Sequence, residues 1–100
     1  NKEFRIIGKL DKPVIKEAKQ SSKHVTLTWD KVAGANGYVI YRSTGSGSYK
    51  AVKTLSDGNV FSWTDPTAKS GKTYRYKVVA TQKVESRTYK SAASSPVKAK

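Results

Sequence analysis

The sequence contains no cysteine. That absence excludes disulfide scaffolds, thiolate catalysis and the usual structural zinc sites together. It leaves the compartment open, since extracellular bacterial β-domains also do without cysteine. Methionine is missing as well, and there is one histidine, His24. No apolar run approaches the roughly 20 residues that a membrane-crossing helix needs. With a mean hydropathy of −0.66, no membrane insertion is expected. No basic stretch followed by an apolar core opens the chain, so it reads as an excised segment, and the missing signal peptide says nothing about where the parent protein resides. Apolar residues at the helical spacing of three and four are not sustained anywhere.

Acidic residues are also scarce: 7 Asp and Glu against 20 Lys and Arg give a formal charge of +13. Such a chain is attracted to polyanions, whether nucleic acid, anionic membrane or a phosphate-bearing cell-wall polymer. The bases are spread singly, as in Lys9, Lys12, Lys16, Lys19 and Lys23. A dispersed pattern favours a solubilising surface over a docking patch.

What is present is β-pattern. The 100 residues, 36% of them hydrophobic and 10% aromatic, suffice for one core. Residues 1–11 show no period and read as a linker or the remnant of a preceding domain, leaving 12–100 as the folded unit. From Pro13 onward, short segments of period two alternate with turn residues. Pro13-Val14-Ile15 opens a first strand, where proline suits an edge. Ser21-Ser22-Lys23 turns the chain, and His24–Trp29 puts Val25, Leu27 and Trp29 on one face. Tyr38–Ser43 places Tyr38 and Ile40 inward with Val39 and Tyr41 opposite. After the Gly45–Ser48 loop come Tyr49–Leu55, an Asp57-Gly58-Asn59 turn, and Val60–Thr64 with Phe61 and Trp63 on one face. Thr73–Thr81 sets Tyr74, Tyr76, Val78 and Ala80 inward and Arg75, Lys77 and Val79 outward. A polar loop over 82–88 and a last strand over Tyr89–Ala99, with Pro96 at an edge or bulge, complete the pattern.

Seven short strands with turns every eight to twelve residues predict an all-β, two-sheet sandwich. Between Trp29 and Tyr38 the chain must reverse through Ala35-Asn36-Gly37. Asn-Gly accepts positive φ and is expected to make that turn, carrying the chain between sheets so that Trp29 packs beneath Tyr38 and Ile40.

The motifs Val-Thr-Leu-Thr-Trp at 25–29, Gly-Tyr-Val-Ile-Tyr-Arg at 37–42, Thr64-Asp65 and Gly71-Lys72-Thr73-Tyr74-Arg75-Tyr76-Lys77-Val78, with the Ser-rich final strand, resemble a fibronectin type III domain. The likeness covers Lys12 to Ala99 and is greatest to the bacterial form, found in secreted glycoside hydrolases and Gram-positive surface proteins. It implies the seven-strand topology of that family, Trp29 as the central core aromatic, and Tyr74, three residues after Gly71, as a tyrosine corner whose hydroxyl bonds back upstream. The turn departs from the family where Ala68 and Ser70 stand in places that often hold Leu and Pro, which implies either looser packing below the corner or Trp63 filling the gap. No Arg-Gly-Asp stands in Gln82–Thr88, so integrin binding does not carry over.

No cofactor motif and no catalytic set is recognised. His24 begins a strand on the solvent side with Ser21, Ser22 and Asp30 in its neighbourhood, but a nucleophile, base and acid must stand within hydrogen-bond reach. Asp30, Asp57 and Asp65 stand singly at turns, as caps of backbone amides rather than as a calcium cluster. Gly45–Ser48 lacks the Gly-Lys-Ser/Thr ending of a phosphate loop. The one candidate ligand face is the outward side of the sheet holding Tyr38–Arg42 and Thr73–Thr81. Tyr41, Arg75 and Lys77 are expected there together, with Arg42, Lys53, Arg87 and Tyr89 near its rim. Tyrosine beside basic side chains stacks on a sugar while pairing with an anion; equally, such residues simply cover a solvent-facing sheet.

These readings point to a non-catalytic spacer in a larger extracellular bacterial protein, a carbohydrate-active enzyme or adhesin, whose partners are its neighbouring domains. The alternative is a module gripping anionic polysaccharide or cell-wall polymer. Nucleic acid is supported by charge alone, with neither a recognition helix nor an RNA-type aromatic sheet motif.

Overall fold

Alternation of apolar and polar residues at period two commits each segment to a strand with one buried face, and the computed structural model bears this out. It describes residues 10–21, 24–45, 47–68 and 72–99. Most of the expected linker, with Ser22, Lys23, Ser70 and Gly71, lies outside the described residues.

The described strands are β1 (Ile15–Gln20), β2 (Val25–Trp29), β3 (Gly37–Thr44), β4 (Lys50–Leu55), β5 (Ser62–Asp65), β6 (Tyr74–Val84), β7 (Arg87–Lys90) and β8 (Val97–Lys98). They form two antiparallel sheets, one ordered β1-β2-β5 and the other β4-β3-β6-β7, with β8 also on β6. Between them lie Val25, Leu27 and Trp29 from one sheet and Tyr38, Ile40, Tyr74, Tyr76, Val78 and Ala80 from the other. Trp29 is 2% exposed and meets Tyr38 edge-on, with ring centroids 5.5 Å apart. Trp63 is half-buried against the same cluster.

The architecture is the expected sandwich with local corrections. Eight strands are described rather than seven, because the expected last strand over 89–99 is divided into β7 and β8; residues 82–88, besides, are not a loop. Gln82-Lys83-Val84 extends β6, Glu85-Ser86 turns, and Arg87 starts β7. The last strand is broken in turn. Pro96 lacks an amide proton, and two serines hold the gap between β7 and β8. Ser91 and Ser94 each donate an amide to β6, at the Ala80 and Val78 carbonyls. Their hydroxyls accept the Ala80 and Val78 amides at 2.9 Å, standing in for strand carbonyls. Finally, Phe61 does not share the burial of Trp63: it precedes β5 and is 52% exposed.

The corner after Trp29 works differently from the Asn-Gly expectation. Positive φ falls on Gly34, at 85°, within the Ala33-Gly34 turn. Gly37 is needed for closeness, since a Cβ there would run into the Leu55 carbonyl oxygen of β4. Gly58 meets the same constraint from the Ala35 carbonyl oxygen. The Asn36 side chain accepts the Lys83 amide through Oδ1.

Candidate functional site

The alternation that buries Tyr38 and Ile40 turns Val39 and Tyr41 outward on β3, and likewise turns out Arg75, Lys77, Val79 and Thr81 on β6. Register then sets the neighbours. Tyr41 lies opposite Lys77 on one side and Ala51 on the other, Ser43 opposite Arg75, and Val39 opposite Val79. The structure therefore brings Tyr41, Arg75 and Lys77 onto one face.

Two of the three are already engaged. The Lys77 ammonium sits 4.2 Å from the centroid of the Tyr49 ring, a cation–π contact that covers one side of that ring. The Arg75 guanidinium donates to the Gly45 carbonyl at 3.1 Å and ties down the β3–β4 loop. Tyr41 is half-buried beside them.

The other candidates lie elsewhere. Tyr89 pairs with Gln82 and Arg87 with Val84, one residue out of phase with Thr81 and Lys83, so both belong to the opposite side of the sheet from Lys77. Lys53 is exposed at the β3–β4 bulge, opposite the inward residue Ile40. Arg42 pairs with Tyr76, also an inward position. Its guanidinium donates to Asp65 Oδ2 and to Thr67 Oγ1, each at 2.7 Å, and lies 5.1 Å from the Tyr74 ring centroid.

Sequence reading missed this Arg42–Asp65 arrangement. Asp65 caps its turn as expected, accepting the Thr67 amide at 2.9 Å. It also accepts the Thr67 hydroxyl at 2.7 Å and the Tyr76 hydroxyl at 2.8 Å, and is 1% exposed. Burial alone would push the carboxyl up; the bonds from Thr67, Tyr76 and Arg42 outweigh it and hold the group below the usual carboxylate range. Burial, then the bond to Asp65, raise the Tyr76 phenol well above its ordinary value. Burial opposes the charge on Arg42, yet contact with Asp65 raises it further. A saturated carboxylate of this kind is a structural lock with no free lone pair aimed at a ligand. The signal lay in parity: an arginine at an inward strand position needs a buried partner.

Tyr74 is 3% exposed and its ring lies tilted against that of Tyr76, with centroids 6.4 Å apart. His24 is exposed and its Nε2 lies 3.0 Å from Ser21 Oγ. Asp30 stands beyond the far end of β2, about 20 Å along an extended strand, and pairs with Lys16 at 3.8 Å. The histidine and the aspartate are thus kept apart. Asp57 caps its turn by accepting the Asn59 amide at 2.9 Å. Among the described residues no group of three or more His, Cys, Asp or Glu is placed to hold a metal ion.

No protein-family model matches the chain. It is 38% identical over 80 residues, 76% of its length, to an amylopullulanase of Thermoanaerobacterium saccharolyticum. It is 37% identical over 71 residues to the amylopullulanase of Thermoanaerobacterium thermosulfurigenes. The chain spans only 6% and 4% of the length of these relatives. Among solved structures, an Fn3-like protein from Clostridium thermocellum superposes with a TM-score of 0.72 at 27% identity, covering 88% of each chain. A β-1,2-glucanase from Parabacteroides distasonis gives a TM-score of 0.77 at 29% identity, over 89% of this chain and 12% of that one.

Proposed function

Because the chain is a fibronectin type III domain like those of bacterial proteins, we propose that it is a non-catalytic spacer within a larger extracellular carbohydrate-active enzyme. The observation that carries this reading is the placement of its ends. Leu10 enters beside Gly34 and the Gln82 amide, within 4 Å of where a Gly34 Cβ would stand. At the opposite pole, the Ala99 amide donates to the Tyr74 carbonyl at 2.9 Å, where β6 begins. Along β6, Gln82 at one pole and Tyr74 at the other stand eight residues apart, which at about 3.3 Å per residue amounts to roughly 26 Å. Segments attached at the two ends would be held that far apart. Its partners on this reading are the neighbouring domains, and the matched segments of much longer amylopullulanases and of the β-1,2-glucanase support that linkage.

Absence of cysteine makes the test clean. Spin labels at Asp11→Cys and Lys98→Cys should give a narrow distance distribution on the order of 30 Å by pulsed electron resonance. A broad distribution, or one centred below about 20 Å, overturns the spacer. The isolated chain should also release no reducing sugar from starch, pullulan or β-1,2-glucan, and measurable turnover would end the non-catalytic reading.

A second reading is favoured by the shared face of Tyr41, Arg75 and Lys77: capture of an anionic polysaccharide or cell-wall polymer. It predicts salt-sensitive retention on a polyanion column that is lost in Arg75→Ser/Lys77→Ser and kept in Lys50→Ser/Lys53→Ser. Equal loss in both would reduce the effect to general charge.

A further inference from the structure

A different part of the surface has the form of a small-anion site. Where β1, at the edge of one sheet, faces β8, at the edge of the other, the sheets part around a cavity of about 310 Å³. That volume falls at the lower end of the range for small-molecule pockets, about 300–1,000 Å³. Its lining is Lys16, Glu17, Ala18, Lys19, Val97 and Lys98. Each has a local cause. The β1–β2 register slips between Ile15 and Glu17, and this bulge leaves Lys16 and Glu17 exposed together. Ala18 returns to the core side at 6% exposure, opposite Leu27, and its single methyl group leaves the space unfilled. Val97 pairs with Tyr76 and Lys98 with Arg75, which brings the β8 wall up to β1.

We propose that this cleft binds a phosphate group, with Lys16, Lys19 and Lys98 as its ligands and Ala18 and Val97 as its floor. Three ammonium groups stand against the Glu17 carboxylate in the lining and that of Asp30 beside Lys16, which leaves an excess of one positive charge around a concave site. Lysine is a compact charge suited to a tetrahedral, multiply charged oxyanion, whereas a planar carboxylate is read better by the forked guanidinium of arginine. The Lys16 bond to Asp30 is long, at 3.8 Å, and both side chains are more than half exposed, so it yields readily to a stronger anion. Glu17 sets the limit: it repels the anion from its own side and steers it toward Lys19 and Lys98. The phosphate is either free or carried on a saccharide. This site shares no residue with the Tyr41–Lys77 face and stands whether or not the spacer reading does.

The test is an amide-shift titration of the whole chain with inorganic phosphate and with glucose 6-phosphate, at ionic strength fixed by chloride. Saturable shifts confined to residues 16–19 and 97–98 are expected. Lys16→Gln/Lys19→Gln/Lys98→Gln should weaken binding at least tenfold. Lys50→Gln/Lys53→Gln/Lys72→Gln, which removes the same charge elsewhere, should change it less than twofold. Because all six lysines are exposed, neither variant threatens the fold. Tighter binding of the sugar phosphate supports a phosphorylated glycan as source, and equal binding supports the free ion. Shifts spread over all lysines, equal losses in the two variants, or no saturation overturns the proposal.

Discussion

Replacing Asp65 by asparagine keeps the shape of the side chain and removes its charge. The Oδ1 position still accepts the Thr67 amide and hydroxyl, now at 2.9 and 2.7 Å. The other oxygen becomes an amide nitrogen facing two donors, the Arg42 guanidinium at 2.7 Å and the Tyr76 hydroxyl at 2.8 Å. Removing one partner of a buried ion pair costs about 3–5 kcal/mol. Arg42 retains 20% side-chain exposure and recovers part of its hydration, so about 2–4 kcal/mol is expected. For a domain of this length that is a fall in Tm of roughly 10–25 °C. Urea unfolding followed by tryptophan fluorescence measures it.

The pH dependence provides the sharper check. The folded-state carboxyl is held below its unfolded value of about 3.9. Between those two values the unfolded chain binds more protons, so stability rises with pH there. The contribution is complete above about pH 5 and is lost as pH falls through the folded value. The difference between Asp65 and Asp65→Asn proteins should therefore be full at pH 7 and shrink progressively as the pH falls below about 4. A gap below about 1 kcal/mol at pH 7, or one equally large at pH 2, refutes the account of Asp65 as a charged lock.

Four further outcomes follow from the packing. Gly37→Ala should cost several kcal/mol or prevent folding, because the added methyl group meets the Leu55 backbone rather than a movable side chain; a normal melting curve would contradict it. Glu85→Gly should stabilise by about 0.5–1 kcal/mol, since Glu85 holds φ at 56° in the β6–β7 turn, a conformation glycine adopts without a Cβ penalty; a lower urea midpoint would count against it. Ser94→Ala leaves the buried Val78 amide without its acceptor and should cost about 1–3 kcal/mol, with faster hydrogen exchange at Val78 as the specific readout. Tyr38→Phe should speed exchange of the Val32 amide about tenfold, because the Tyr38 hydroxyl accepts that amide at 3.0 Å while donating to Gly58 at 3.1 Å. Unchanged exchange at Val32 would show that the hydroxyl does not hold the corner.

The two-sheet core was legible because its information is local and periodic. Val25, Leu27 and Trp29, and again Tyr74, Tyr76, Val78 and Ala80, declare their side by parity alone, and each is buried. Where the outcome depended on long-range partners, the sequence misled. Gln82–Thr88 is polar and reads as loop, yet it pairs with itself across Glu85-Ser86, and ladder bonds at the rim of a sheet need no apolar face. The final strand reads as continuous, but Pro96 interrupts it and serine side chains replace the missing carbonyls, a substitution that no periodicity reveals. Of the candidate ligand face, the register of Tyr41 against Lys77 followed from strand pairing. Arg42 did not, because its partner Asp65 lies 23 residues away in the other sheet.

On the proposed spacer reading, the same long-range bonds are what would stiffen a small domain. Loops at the entry pole are usually the softest part of a sandwich, since little apolar surface is buried there. Here they are cross-tied. The Asn36 amide donates to the Thr81 carbonyl at 2.7 Å while its side chain accepts the Lys83 amide. Gln82 Nε2 donates to the Gly34 carbonyl at 3.1 Å. Tyr38 links the 30–36 corner to the turn at Gly58 from below. At the exit pole, Arg42 and Asp65 join the end of β3 to the end of β5 across the two sheets. Bending the module at either pole would therefore require breaking hydrogen bonds between segments far apart in sequence. On that reading, stiffness along the long axis would come from a few polar side chains that tie loops to strands, added to the cohesion of the apolar core between them.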